Sequence, residues 1–281
     1  METAQSFAPL ICPLCASPLS REGSALFCGG ARRHCYDVAA AGYVNLLPPG
    51  KKNNAAAGDD ADMLRARSAF LAGGWYDPIS DTAARLGAEV LGTRDATFVD
   101  AGCGEGYHTC RIARALGGTA IGIDAAKRGA AAGAKLARRW NLTGVRFAAG
   151  NIFALPVADH SCDLVYSIFA PIPGEEAARI LKESGALIVA GAGPRHLWEL
   201  RQKLYGEPRV GAVAKAPEGF HTVHEETLSY HISLPDRETV AALFAMTPFY
   251  YRSPKAGREQ LLACDGLTVQ VEVVFRILEQ L

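Results

Sequence analysis

Cys12 and Cys15 form a Cys-x-x-Cys knuckle, Cys28 follows thirteen residues after Cys15, and His34-Cys35 comes next. Thiolates and imidazole at such spacings suit a tetrahedral Zn²⁺ site, which takes four ligands of this kind. The residues themselves point to Cys12, Cys15, Cys28 and either His34 or Cys35. Four of the eight cysteines lie in the first 35 residues. The start, Met1-Glu-Thr-Ala-Gln5, has no basic stretch leading into an apolar one. The expectation is therefore a cytoplasmic chain whose clustered cysteines bind metal rather than pair as disulfides. Cys103, Cys110, Cys162 and Cys264 read as small buried hydrophobes.

A second constellation is Asp100-Ala-Gly102-Cys-Gly104-Glu105-Gly106, with Asp124 following 22 residues after Gly102. Glycines between a strand and a helix allow a tight turn and close approach of a ligand, and a carboxylate ending the next strand binds ribose hydroxyls. A dinucleotide fingerprint would place its third glycine where Tyr107 stands. The Asp-x-Gly-x-Gly-x-Gly form resembles instead motif I of class I S-adenosylmethionine methyltransferases. Gly150-Asn151-Ile-Phe-Ala-Leu155-Pro156 resembles that superfamily's adenine loop, with Asn151 at the usual acidic position. Asp163-Leu-Val-Tyr-Ser-Ile-Phe-Ala-Pro171 resembles motif IV, the strand end beside the transferred methyl.

Taken with the knuckle, the chain resembles the RlmA-type 23S rRNA (guanine-N1)-methyltransferases. The matching segments include Gly42-Tyr-Val-Asn-Leu-Leu47, Gly58-Asp, Met63, Ala66-Arg67, Ala69-Phe-Leu71, Gly74-Trp-Tyr76, Gly193-Pro-Arg-His-Leu197 and Met246-Thr-Pro-Phe249. The resemblance implies S-adenosylmethionine and Zn²⁺ as cofactors, 23S rRNA as partner and a homodimer. It puts Tyr76, Gly104, Glu105 and His196 near the bound cofactor, beside Asp100, Gly102, Gly106, Asp124 and Asn151. The family's metal pattern is Cys-x-x-Cys…Cys-x₃-His. Here five residues separate Cys28 from His34, and alignment through Asp37 keeps His34 as ligand. Simpler roles stand beside these: Tyr76 packing a helix end, His196 bonding backbone, Glu105 a charge at a helix N-terminus.

The elements that must hold these residues follow from the pattern. Apolar strands at 97–100, 119–124, 145–149, 162–168 and 186–190 alternate with helices at 107–116, up to about 140, and at 175–182. This predicts a parallel sheet covered on both faces: an α/β, Rossmann-like class I methyltransferase fold with a small N-terminal zinc-binding module. Further helices are predicted at 61–71, capped by Asp60, and at 78–91 and 195–205. Residues 206–226 read as loop, and 267–277 as an antiparallel strand. The division is 1–47 for a zinc-binding RNA-recognition module, 48–75 for linker and helix, and 76–281 for the methyltransferase domain. So short a module has few sources of core, so metal would supply most of its folding energy.

The 29 Lys+Arg and 29 Asp+Glu leave no net charge, so a polyanionic partner needs a local basic surface. The run Lys127, Arg128, Lys135, Arg138, Arg139 reads as a solvated helix face. Arg32, Arg33, Lys51 and Lys52, with Tyr36 and Tyr43 as stacking or packing rings, make the zinc module and linker the better RNA surface. Apolar runs such as Gly185–Gly193 fall short of the ~20 residues a bilayer needs, so no membrane is expected. The expected activity is methyl transfer from S-adenosylmethionine to N1 of a guanine in a hairpin loop of 23S rRNA. The alternatives are a small-molecule methyltransferase and a non-catalytic, cofactor-regulated RNA-binding protein. No residue declares itself as a general base.

Overall fold

A computed structural model describes residues 5–48, 61–93 and 95–281. The expected Asp60 cap, Lys51, Lys52 and Gly58-Asp59 lie outside the described residues. Among those described, no helix is long and apolar enough to cross a membrane.

The chain opens with four short strands, β1 (Gln5–Ile11), β2 (Pro18–Glu22), β3 (Ala25–Cys28) and β4 (Cys35–Asp37). They form an antiparallel sheet in sequence order. Next come β5 (Val44–Asn45), α1 (Ala61–Ala72) and α2 (Asp77–Leu91). The α/β body follows as β6 (Thr97–Ala101), α3 (Tyr107–Leu116), β7 (Thr119–Asp124), α4 (Lys127–Arg139), β8 (Val145–Ala149), β9 (Cys162–Ile168), α5 (Gly174–Ile180) and β10 (Leu181–Ala192). The chain closes with α6 (Trp198–Tyr205), β11 (Phe220–Leu234), α7 (Arg237–Ala245), α8 (Phe249–Arg252), α9 (Lys255–Leu262) and β12 (Leu267–Gln280).

The large sheet runs β11-β12-β10-β9-β6-β7-β8-β5. Its centre is parallel, and β12 and β11 are added antiparallel to β10 and to each other. Every residue of β9 is buried, as befits a strand covered on both faces. The chain leaves β6 toward β7 on one side and continues from β9 toward β10 on the other. The gap between β6 and β9 is thus the topological switch point, where open α/β sheets bind ligands at their strand ends.

Three boundaries differ from expectation. Helix α5 stops at Ile180 because Leu181 already pairs with Cys162 of β9. Helix α6 begins only at Trp198 because the segment before it is bonded to β12: the Gly193 N–H donates to the Glu272 carbonyl and the Leu197 N–H to the Gln270 carbonyl, both at 2.8 Å. The expected loop 206–226 gives way to β11 at Phe220. That strand is mostly exposed and polar at its start, so it has little hydrophobic alternation of its own, and β12 supplies its ladder.

The first sheet shares its core with the large one. Leu10, Leu19, Leu26, Val44 and Leu46 lie in one buried cluster with Val99, Ile121 and Val165. Main-chain bonds from Ile11 to the Pro156 carbonyl and from Ala158 to the Pro9 carbonyl, each 2.9 Å, tie β1 to the loop after β8. The module expected to have few sources of core, and so to draw most of its folding energy from metal, thus also shares the core of the large sheet. Tyr43 packs against the α4 cluster, and Arg138 of α4 donates to the Ala41 carbonyl at 2.6 Å.

Helix α2 lies close on the sheet at Gly87, where a methyl group would overlap the Tyr166 hydroxyl and crowd Leu116 and Leu164 at 3.2 Å. Gly87→Ala should therefore lower stability by about 1–3 kcal/mol through overpacking, despite the better helix propensity of alanine. Thermal unfolding of the variant checks this through a lower Tm.

Candidate metal centre and active site

Hairpin β2–β3 and the turn after β1 bring the sequence-distant cysteines together. His34 Nδ1 lies 3.4 Å from Cys12 Sγ and 3.6 Å from the Sγ of both Cys15 and Cys28; Cys15 and Cys28 Sγ are 3.7 Å apart. All four ligand atoms lie within 4.8 Å of one another. A tetrahedron with Zn–S of ~2.3 Å and Zn–N of ~2.0 Å has edges of about 3.8 and 3.5 Å, so this donor set fits zinc. Cys35 is exposed and lies outside the group. Of the two candidates for the fourth position, the fold directs His34 inward, with its N–H donating to Cys28 Sγ at 3.1 Å. Sequence reasoning left Tyr36 between stacking and packing. It packs, with its hydroxyl 2.9 Å from Cys12 Sγ, and burial keeps the phenol protonated as a donor to the sulfur.

The glycine loop leaves β6 at the switch point. Gly102, Gly104 and Gly106 have φ of +86°, +54° and +75°, which side-chain-bearing residues rarely adopt. Their surroundings differ. A Cβ on Gly102 would meet Ala170 Cβ at 2.5 Å, and one on Gly106 would strike the Phe147 ring, also at 2.5 Å. One on Gly104 would meet only the tip of Arg67, at 3.0 Å. Gly102 and Gly106 are thus required by packing, while at Gly104 only the end of a flexible side chain stands in the way. Asp124 closes the loop: its Oδ2 accepts from the Gly104 N–H at 3.0 Å and its Oδ1 from the Ala126 N–H at 2.7 Å.

Asp100 is 2% exposed. Thr109 donates its hydroxyl to Oδ2 at 2.5 Å, whereas Oδ1 has no hydrogen-bond partner among the described residues. Burial, opposed by the Thr109 bond and helped by the neighbouring Asp124 charge, raises this carboxyl to about 7. An orphaned buried carboxylate oxygen beside a glycine loop suits a cationic ligand group. Glu105 is also buried, and its carboxylate faces Arg67 of α1 at 3.4 Å.

Across the loop stands an aromatic wall. Tyr76 at the start of α2, Phe169 at the end of β9 and His196 before α6 have ring centroids 5.4–6.4 Å apart. Phe169 holds φ +51°, uncommon for a bulky residue, and is 42% exposed beside Ala170. His196 Nδ1 lies 2.9 Å from the Glu272 carbonyl and 3.3 Å from the Glu272 N–H, so the β12 backbone holds the ring in place. Burial pushes His196 down to about 4, so the ring is neutral at pH 7. Tyr76 itself is buried, packed edge to face on Phe70 with centroids 5.3 Å apart, while Phe169 is the exposed member of the three.

Of the residues singled out in the sequence, Asp100, Gly102, Gly104, Glu105, Gly106 and Asp124 converge at the strand ends, with Tyr76 and His196 in the facing wall. Asn151 is exposed, and its Oδ1 accepts from the Phe153 N–H at 3.0 Å, closing its own turn. Sequence reasoning missed Phe169, Arg67 and Glu272. Phe169 lies inside the motif IV segment, but its backbone conformation has no sequence signal. Arg33 is engaged by Glu22 at 2.6 Å and lies over Phe27, and Cys264 is only partly buried.

Comparison with known proteins adds an independent observation. The RlmA N-terminal zinc-ribbon family matches residues 10–54, and a methyltransferase-domain family matches residues 98–191. YxjB of Bacillus subtilis, named for 23S rRNA guanine-N1 methylation, is 31% identical over 97% of this chain and 98% of its own. The Streptomyces fradiae 23S rRNA (guanine(748)-N1)-methyltransferase is 29% identical over 95% of each chain.

Two outcomes follow. Purified protein should hold one zinc per chain by elemental analysis; His34→Ala should lose it, Cys35→Ser should keep it, and the reverse would make Cys35 the ligand. S-adenosylmethionine carries an ammonium group that Asp100 suits only when ionised. With the free carboxyl near 7, affinity should fall about tenfold from pH 8 to pH 6, and Asp100→Asn should bind weakly with a flat profile. Titration calorimetry across that range checks the sign.

Proposed function

Because the chain belongs to the 23S rRNA (guanine-N1)-methyltransferase family, we propose that it moves the methyl group of S-adenosylmethionine to N1 of a guanine in a hairpin loop of 23S rRNA. The single observation that carries this is a zinc-type donor tetrad and a motif I glycine loop in one chain, with a relative similar over nearly its whole length.

We divide the chain into a zinc-binding RNA-recognition module at 1–47, a linker and helix at 48–75, and a catalytic domain at 76–281. Cys12, Cys15, Cys28 and His34 are the assigned zinc ligands. Tyr76, Asp100, Gly102, Gly104, Glu105, Gly106, Asp124, Asn151 and His196 are the assigned cofactor contacts. Asp124 would take the ribose hydroxyls and Asp100 Oδ1 the ammonium. Gly104 would admit the ligand close to the backbone. Tyr76, Phe169 and neutral His196 would face the sulfonium.

The cofactor supplies an activated methyl group on sulfur, and the protein supplies orientation and a dry, preorganised setting. Bound S-adenosylmethionine would supply its methyl group to the N1 electron pair of guanine, the N1–H proton would pass to solvent, and the C–S pair would stay with the departing S-adenosylhomocysteine. The guanine must leave its stack or sit in an open loop to reach the methyl. A histidine kept neutral by burial adds no repulsion beside a positive sulfur. The same reading carries a cytoplasmic location, with the ribosomal RNA, and a homodimeric assembly.

Primer extension on 23S rRNA from cells with and without the gene tests it. The expected result is a stop at one guanine that disappears with the gene and returns with the wild-type chain but not with Asp124→Ala. Identical extension patterns in both strains would overturn the assignment.

A further inference from the structure

Next to the methyl-transfer site, but outside it, lies an open groove of about 430 Å³ between the C-terminal half of α6, residues 207–209 and α8. Three guanidinium groups, Arg201, Arg209 and Arg252, line it against one carboxylate, Glu207, with Tyr205 and Phe249 between them. Neither the Arg209 nor the Arg252 side chain has an ion-pair or hydrogen-bond partner among the described residues, and both are exposed. The Tyr205 and Phe249 rings meet edge to face at 6.2 Å, and Tyr251 beside them is 60% exposed.

The inner wall of this groove is bonded to the reaction centre. Arg201 Nη1 donates to the carbonyls of Pro194 and His196, each at 3.3 Å, and its Nη2 donates to the Arg209 carbonyl. Helix α6 has 8 residues, so it spans about 12 Å, the length of three or four stacked nucleotides at ~3.4 Å each. A strand entering at His196 therefore reaches the groove within a few nucleotides. Cations without partners beside exposed rings are what single-stranded RNA binding uses: phosphate neutralisation for affinity and stacking for bases of any sequence. A protein partner would be expected to meet a more apolar, less charged centre than three arginines provide.

We propose that this groove is a docking subsite for the single-stranded RNA flanking the target guanine, with phosphates on Arg209 and Arg252 and a base against the Tyr205–Phe249 face. The proposal rests on the rRNA reading above and deepens it.

The test uses the full zinc-loaded chain, a protein-free 23S rRNA transcript, a filter-binding titration over a salt series, and transfer of labelled methyl. The variants are Arg209→Glu/Arg252→Glu and Arg209→Lys/Arg252→Lys; neither position belongs to the assigned cofactor or zinc sites. The glutamate pair should weaken RNA binding at least about tenfold and flatten the salt slope by about 1.4, two phosphate contacts at ~0.7 each. The heat of S-adenosylmethionine binding should be unchanged, and the lysine pair should retain most RNA affinity, which excludes misfolding as the cause. Equal affinity and equal slope for the glutamate pair would overturn the subsite, as would wild-type protein that does not bind the transcript. Wild-type protein that binds the transcript without methylating it would overturn the activity, while the subsite would still stand or fall on the variants.

Discussion

A parallel sheet sandwiched between helices has its faces filled, so a ligand can be met only at the strand ends, and most closely where the chain departs in opposite directions. Here that place lies between β6 and β9, and the contact of Gly102 with Ala170 marks it. Both strands must turn away from a shared gap in a few residues. β6 does so through three glycines at positive φ, and β9 through Phe169, which takes a left-handed conformation with a full side chain. The strain at Phe169 costs ~1–3 kcal/mol on general grounds, and burial of β9 along its whole length is what supports it. The site is thus built from the same residues that solve the problem of leaving the sheet.

The positioning of the facing wall follows from β12. Glu272 fixes the segment before α6 with its backbone and its side chain: its carbonyl accepts from the Gly193 N–H and lies 2.9 Å from His196 Nδ1, and its Oε1 accepts from the Arg195 N–H at 2.8 Å. A side chain at Gly193 would collide with Glu272 Cγ at 2.6 Å, so a glycine is needed for the segment to lie this close. A strand added antiparallel at the far side of β10 therefore decides where an imidazole stands beside the glycine loop. The link between β12 and the site is one of hydrogen-bond geometry, not of direct contact with a ligand.

The chemistry of this chain was more legible in its sequence than its architecture. The cysteine knuckle and the glycine loop with Asp124 are visible because their geometry is short in sequence and restricted to few residue types. The parallel core strands are visible because burial on both faces requires unbroken apolar runs. The choice of His34 over Cys35 came from alignment through Asp37 rather than from residue type: two metal-competent residues in succession differ only in which one the β3–β4 connection turns inward. Glu272 looks like one more polar position on an alternating strand. The edge strand β11 hides because its exposed first half needs no apolar face once β12 supplies its ladder. What was missed depends on partners distant in the chain, where local spacing carries no information.

Electrostatics bring the remaining pieces together. With no net charge, the chain has no global field to draw a polyanion, and many of its arginines are already engaged by acids: Arg85 by Glu89 at 2.7 Å, Arg111 by Asp77 at 2.9 Å and Arg179 by Glu176 at 2.7 Å. The run Lys127, Arg128, Lys135, Arg138, Arg139 is exposed as expected, and Arg138 also donates to the loop that carries β5 onto the sheet edge. Beyond α6, Arg209 and Arg252, which have no acidic partner among the described residues, adjoin the Tyr205 and Phe249 rings. Neutral burial of His196 belongs to the same arrangement. A protonated ring at that point would oppose the cationic cofactor of the proposed reaction.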